Sequence, residues 1–124
     1  QRIATGLIDA AGFFGGRLPE LFCGFDRTEF EAPIPYPTSC SPQAWASAAP
    51  LLWLRTILRL EPSAPQGCVW IDPHLPPWMT RLRVETVGVG GHELTIAVEG
   101  DQVEVTGGGP LEVRRGNRPP LVSP

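Results

Sequence analysis

An α+β chain is what the sequence predicts, and three observations carry it. Apolar residues recur at helical spacing in residues 2–14 and again from 42 to 60. The period then changes to alternation between Cys68 and Arg114, and Gly and Pro turns punctuate that second half. With 124 residues the chain has the length of one ordinary domain. Its 15 Pro and 14 Gly lie partly between apolar runs rather than in low-complexity tracts, which points to short elements joined by rigid turns.

In the first helix Ile3, Leu7, Ala10, Ala11 and Phe14 form one stripe, and Gly15-Gly16 stops it. Ile8 and Phe13 lie off that stripe, so more than one side calls for cover, and a chain that opens inside such a segment reads as cut from something larger. For the second helix Ser41 is the expected cap and Pro42 the first helical residue, where its missing N–H is no loss; Glu61-Pro62 ends it. Between 44 and 60 only Ser47, Arg55, Thr56 and Arg59 are strongly polar, and a helix apolar nearly all round must be buried on most sides. Pro50 removes the bond to the Ala46 carbonyl and should bend the helix, at about 3 kcal/mol if nothing compensates. Two helices and a small sheet can hardly cover this surface, which implies neighbours outside these residues.

Alternation begins at Cys68-Val-Trp-Ile71, a strand closed by Asp72-Pro73, and Leu75-Pro-Pro-Trp78 is a stiff connection. Leu82, Val84 and Thr86, then Val87 and Val89, predict a strand with a bulge. Gly90-Gly91 turns the chain into Leu94, Ile96 and Val98, and Gly100-Asp101 turns it again into Val103 and Val105. A last short strand is expected over Leu111 to Arg114, with Gly107-Gly-Gly109 a flexible connector and 115–124 a loose tail.

Composition removes several function classes. Net charge is −3 with mixed signs and no basic stripe, so nucleic acid is not an expected partner. All ten basic residues are Arg, which we read as coding bias. The longest mostly apolar run, 44–54, is too short to span a bilayer, and no leader pattern precedes the first helix; no membrane partner is expected and the cytoplasm is the expected compartment. Cys23, Cys40 and Cys68 are odd in number and widely spaced, which fits a reducing compartment and matches no zinc spacing. His74 and His92 fall in turns, so no metal site follows, and no cofactor is expected.

The loop between the helices concentrates the chemistry. It contains Arg17-Leu-Pro-Glu-Leu-Phe-Cys-Gly-Phe25 and Tyr36-Pro-Thr-Ser-Cys-Ser-Pro-Gln-Ala-Trp45. A loop this long is functional or disordered, and its aromatic and Cys content argues against disorder. Glu20, flanked by Pro19 and Leu21-Phe22, is the candidate catalytic carboxylate; the alternatives are an exposed loop Glu or a pair with Arg17. Asp26, Glu29 and Glu31 read as a solvated stretch, and Cys23 and Cys40 as small buried thiols.

These two loop motifs, followed by an apolar helix, resemble the C-terminal end of bacterial amylo-alpha-1,6-glucosidase-like proteins, the glycogen-debranching type of six-hairpin glycosidase. Trp70-Ile-Asp-Pro-His-Leu-Pro-Pro-Trp78 and the strands through Val105 resemble the β appendage that closes the same proteins. The resemblance implies that residues 1–62 are the last helical hairpin of an (α/α)6 toroid with its active-site loop. Residues 63–114 would be a small antiparallel β appendage. It further implies hydrolysis of an α-glucosidic bond in an α-glucan or oligosaccharide, with inversion, by a general acid and a base about 6.5–9.5 Å apart. Glu20 is then the base, while the acid has no candidate among these residues. Tyr36 and Trp45 would stack on a pyranose and Gln43 would hydrogen-bond a hydroxyl, with core packing or a capping role as the alternatives. The remaining N-terminal part of the same polypeptide is the implied partner, and these 124 residues alone are expected to be inactive. Two other readings stand beside this one: a self-contained, non-catalytic binding module, and a fragment of a related six-hairpin sugar enzyme.

Overall fold

A computed structural model describes residues 2–120 and divides the chain into two compact units, residues 1–54 and 55–124. The end of the expected tail, 121–124, lies outside the described residues.

The first unit holds helix α1 (Arg2–Phe13), a long loop, and most of helix α2 (Ala44–Leu58). Gly15 and Gly16 stop α1 as their spacing predicts: both have positive φ, and the Gly16 N–H reaches back to the Ala11 carbonyl at 2.7 Å, satisfying a carbonyl left over at the helix end. Helix α2 opens two residues later than expected. The Gln43 N–H donates across the loop to the Leu18 carbonyl at 3.0 Å, so Gln43 belongs to the loop, and the Ser41–Pro42 peptide before it is cis. Ser41 therefore does not cap the helix; the Gln43 side chain instead accepts the Ala44 N–H at 3.2 Å. The helix runs on through Pro50.

The last turn of α2 belongs to the second unit and ends on Arg59, whose φ is +45°. Leu60 N–H bonds to Arg55 O and Arg59 N–H to Thr56 O, the paired capping bonds that a left-handed residue permits. Two three-stranded sheets follow. One orders β1 (Glu61–Ser63), β2 (Cys68–Ile71) and β6 (Glu112–Arg115); the other orders β3 (Arg81–Val89), β4 (His92–Glu99) and β5 (Gln102–Gly107). Pro62 is tolerated because β1 is an edge strand. Alternation is clearest in β4, where Leu94, Ile96 and Val98 are all buried, and β3 carries the expected bulge between Val84 and Val87. The two sheets meet through Val69, Val89 and Leu94, with Leu60, Val105, Leu111 and Val113 closing round them.

The helical hairpin of an (α/α)6 toroid is not what this chain forms. Helices α1 and α2 meet around one point, where Ala10 and Ala46 close on Leu18, rather than along a shared seam, and the six strands make the chain mostly β. The physical reason lies in the connection: it pairs with itself between the helices instead of turning one directly onto the other. Nor is the β part purely antiparallel, because β6 runs parallel to β2, with Cys68 opposite Glu112 and Ile71 opposite Arg115. Gly107-Gly-Gly109 is a tight turn rather than a flexible connector. All three residues have positive φ, and the Gly108 N–H is held at 2.8 Å by the Glu93 carbonyl.

Candidate functional site

The loop of residues 17–43 is ordered by pairing with itself. Cys23 N–H donates to Ile34 O at 2.8 Å, Tyr36 N–H to Leu21 O at 3.0 Å, and Glu20 N–H to Cys40 O at 2.9 Å, while Phe22 and Pro35 form a bridge. The Gln43–Leu18 bond closes this ladder at the foot of α2, and the Ser47 hydroxyl adds a second donor to the Leu18 carbonyl at 3.4 Å. Leu18 and Pro19 are buried, so the backbone that leads into Glu20 is anchored by packing as well as by hydrogen bonds.

Glu20 is half-buried, and its Oε2 accepts the Cys40 N–H at 3.3 Å. One oxygen of the carboxylate therefore helps to order the loop. The ladder brings Glu20, Tyr36 and Gln43 onto one short hairpin and sets Trp45 in the first turn of α2. Tyr36 and Trp45 are 49% and 63% exposed as residues, so neither serves as core packing within these residues.

One pocket in this unit lies at the loop tip and does not include Glu20. About 460 Å³ in volume, it is lined by Asp9, Phe13, Phe25, Arg27, Phe30 and Glu31 among others. Arg27 pairs with Asp9 at 3.3 Å, and the Phe25 and Phe30 rings lie 4.8 Å apart. Sequence reasoning passed over Asp9 and Arg27, because their pairing joins residues eighteen apart with no local pattern. Asp26, read as solvated, is indeed exposed, but it builds the tip. Its Oδ1 accepts both the N–H and the hydroxyl of Thr28 at 2.8 Å, the N–H first in effect, and these bonds hold its carboxyl below the usual carboxylate range. The Asp26-Arg27-Thr28 spacing is a local signal from which that turn could have been read.

In the second unit several ionised groups pair at the surface. Arg59 meets Asp72 at 2.8 Å, Arg55 meets Glu61 at 3.0 Å, and Arg114 meets Glu112 at 2.6 Å while lying over the Trp70 ring at 5.3 Å. The hydrogen bond from Arg114 holds the Glu112 carboxyl below its usual range. His74 is exposed, its Nδ1 2.9 Å from the Asp72 carbonyl oxygen. Among the described residues no three His, Cys, Asp or Glu side chains gather as a metal site would require, and no helix is long and apolar enough to cross a membrane. Cys23, Cys40 and Cys68 are free thiols.

Residues 58–119 match the profile of glycosyl hydrolase family 65, C-terminal domain. The match falls within the second compact unit. No curated protein and no solved structure matches the chain.

Proposed function

Since the chain belongs to glycosyl hydrolase family 65 by its C-terminal domain, we propose that it is the C-terminal part of a longer glycosidase, with the two-sheet unit as a closing domain. Residues 1–54 then carry loop elements of the catalytic part. The observation that carries this reading is the match over residues 58–119. A second observation supports it. Of the large apolar side chains that are exposed among the described residues, all but Trp78 lie before residue 55, among them Ile3, Leu51, Leu52 and Trp45. Burying such a side chain completely from full exposure is worth about 1.5–3 kcal/mol, and covering these contributes in proportion to the surface each still shows. The partner on this reading is the N-terminal part of the same polypeptide, and a self-contained binding module would be expected to leave far less apolar surface in water.

The substrate on this proposal is an α-glucan or oligosaccharide. Glu20 acts as the base that activates water, Tyr36 and Trp45 stack on sugar rings, and Gln43 bonds a hydroxyl. The general acid comes from outside these residues, and the three thiols suit the cytoplasm. The α-1,6, debranching choice of linkage rests on the loop motifs 18–24 and 36–45 alone; the family match bears on a glycosidase in general.

The test uses the native full-length product. Its hydrolysis of maltose and isomaltose is compared with that of the Glu20→Gln variant, which keeps an oxygen acceptor for the Cys40 N–H. Loss of a general base is expected to lower kcat by about 10²–10⁴-fold with the fold intact. Wild-type kcat in the Gln variant would remove Glu20 from the chemistry, and a native product of only 13.4 kDa would remove the longer parent.

A further inference from the structure

We propose a second carbohydrate site, built wholly by residues 55–124, in the cleft between the end of β2 and the β4–β5 turn. The cleft is about 440 Å³, within the roughly 300–1,000 Å³ typical of small-ligand sites, and is lined by Asp72, His74, Gly100, Asp101, Val103 and Arg115 among others. It forms where the two sheets end together. Ile71 and Arg115 are register partners at the ends of β2 and β6, and the Gly100-Asp101 turn faces them from the other sheet.

The lining is held by the backbone rather than left to float. Asp72 N–H donates to Leu58 O at 3.2 Å and His74 N–H to Ile57 O at 2.7 Å, which fixes this segment on the end of α2. Arg59 orients the Asp72 carboxylate at 2.8 Å, and the Arg115 Nη2 donates to Val103 O at 2.7 Å, which ties β6 to β5. Asp101 and Arg115 line the same cleft with opposite charges, yet among the described residues neither has an ion-pair partner.

That arrangement selects the ligand by charge. An anion would satisfy Arg115 but meet the carboxylates of Asp72 and Asp101. A cation would meet the Arg115 guanidinium in the lining, and the Asp72 carboxylate is already neutralised by Arg59 at 2.8 Å. A hydroxyl donates and accepts at once, so neighbouring hydroxyls of a neutral sugar can donate to Asp101 and Asp72 while accepting from Arg115. The lining therefore suits a neutral polyhydroxyl ligand, and on the glycosidase reading proposed above that ligand is a saccharide.

The test is a maltose titration of the 15N-labelled 124-residue chain followed by NMR. Saturable shifts are expected at residues 71–74, 100–103 and 115. Asp101 is exposed in a turn, and Asp101→Ala should weaken binding about tenfold or more, the loss of one hydrogen bond to a charged group. Asp101→Asn, which keeps the turn chemistry, should weaken it too. Absence of saturable shifts, the same shifts with inorganic phosphate, or wild-type binding by both variants would overturn the proposal. Glu20 takes no part in this titration, so its failure and that of the proposed catalytic role are distinguishable.

Discussion

Replacing Gly107 with Ala tests whether the turn between β5 and β6 is held by sterics or only by chain preference. Gly107 has φ +81° and pairs with Leu94, and a Cβ built on it would lie 2.5 Å from the Glu93 carbonyl oxygen. Ordinary contact begins at 3.4 Å, so the two must separate by roughly 0.9 Å. The carbonyl cannot yield freely, because it accepts the Gly108 N–H at 2.8 Å and sits in β4, paired to Gly88 of β3. A left-handed Ala costs about 1–2 kcal/mol, and losing the Gly108 bond costs about 0.5–1.5 kcal/mol more. Gly100→Ala is the control: its φ is +56°, but nothing lies within 4 Å of the added methyl, so only the left-handed term applies. Both variants share the unfolded-state gain of about 0.4–1 kcal/mol that Ala brings. Urea denaturation followed by circular dichroism should therefore place Gly107→Ala about 1 kcal/mol or more below Gly100→Ala in stability. Equal stabilities would refute the steric account.

Other outcomes follow from the same coordinates. Ile96 is fully buried at the centre of β4, and Ile96→Ala should cost about 2–5 kcal/mol in the same urea assay; a loss under about 1 kcal/mol would mean that the site collapses around it. Thr86 in the β3 bulge has φ +58°, which a β-branched residue adopts at a cost, so Thr86→Gly should leave stability unchanged or raise it by up to about 1 kcal/mol. The folded carboxyls of Asp26 and Glu112 titrate below their unfolded values, so each contributes stability that is present above the ordinary carboxylate range and lost as pH falls through its folded pKa. An NMR pH titration should find the Asp26 midpoint depressed, and Thr28→Ala should relieve the depression only in part because the backbone N–H donor remains. Purified alone, the 124 residues should not hydrolyse small α-glucosides, and turnover by them would contradict the assignment of the general acid to another part of the polypeptide.

What could be read from the sequence was what local chemistry controls. Cys68–Ile71 is a strand at both expected ends, the bulge falls between Val84 and Val87, and Gly15-Gly16 and Gly90-Gly91 turn the chain where their spacing says they should. What could not be read depends on partners far along the chain. The parallel pairing of Cys68 with Glu112 leaves no mark within four residues of either, and β1 is three residues long with Pro62 in its middle, which reads as a connector until its edge position is known. The loop ladder is hidden for the same reason: its residues do not alternate, and its prolines signal turns rather than pairing.

The site follows the same division, and that decides how Glu20 should be judged. Its flanking Pro19 and Leu21 predicted a rigid setting, and Pro19 is buried, but the group that meets its carboxylate is the N–H of Cys40, twenty residues on. A residue that only stabilised the loop would need that one bond, and Gln could supply it. A base needs in addition a charge to activate the attacking water, while a second carboxyl group protonates the leaving oxygen. The Glu20→Gln exchange therefore separates the two roles within one side chain: it preserves the acceptor that orders the loop and removes the negative charge that the proposed base requires. Unchanged thermal stability with lost turnover in the full protein is the combination that excludes a purely structural Glu20, because such a residue would leave turnover where the fold leaves it.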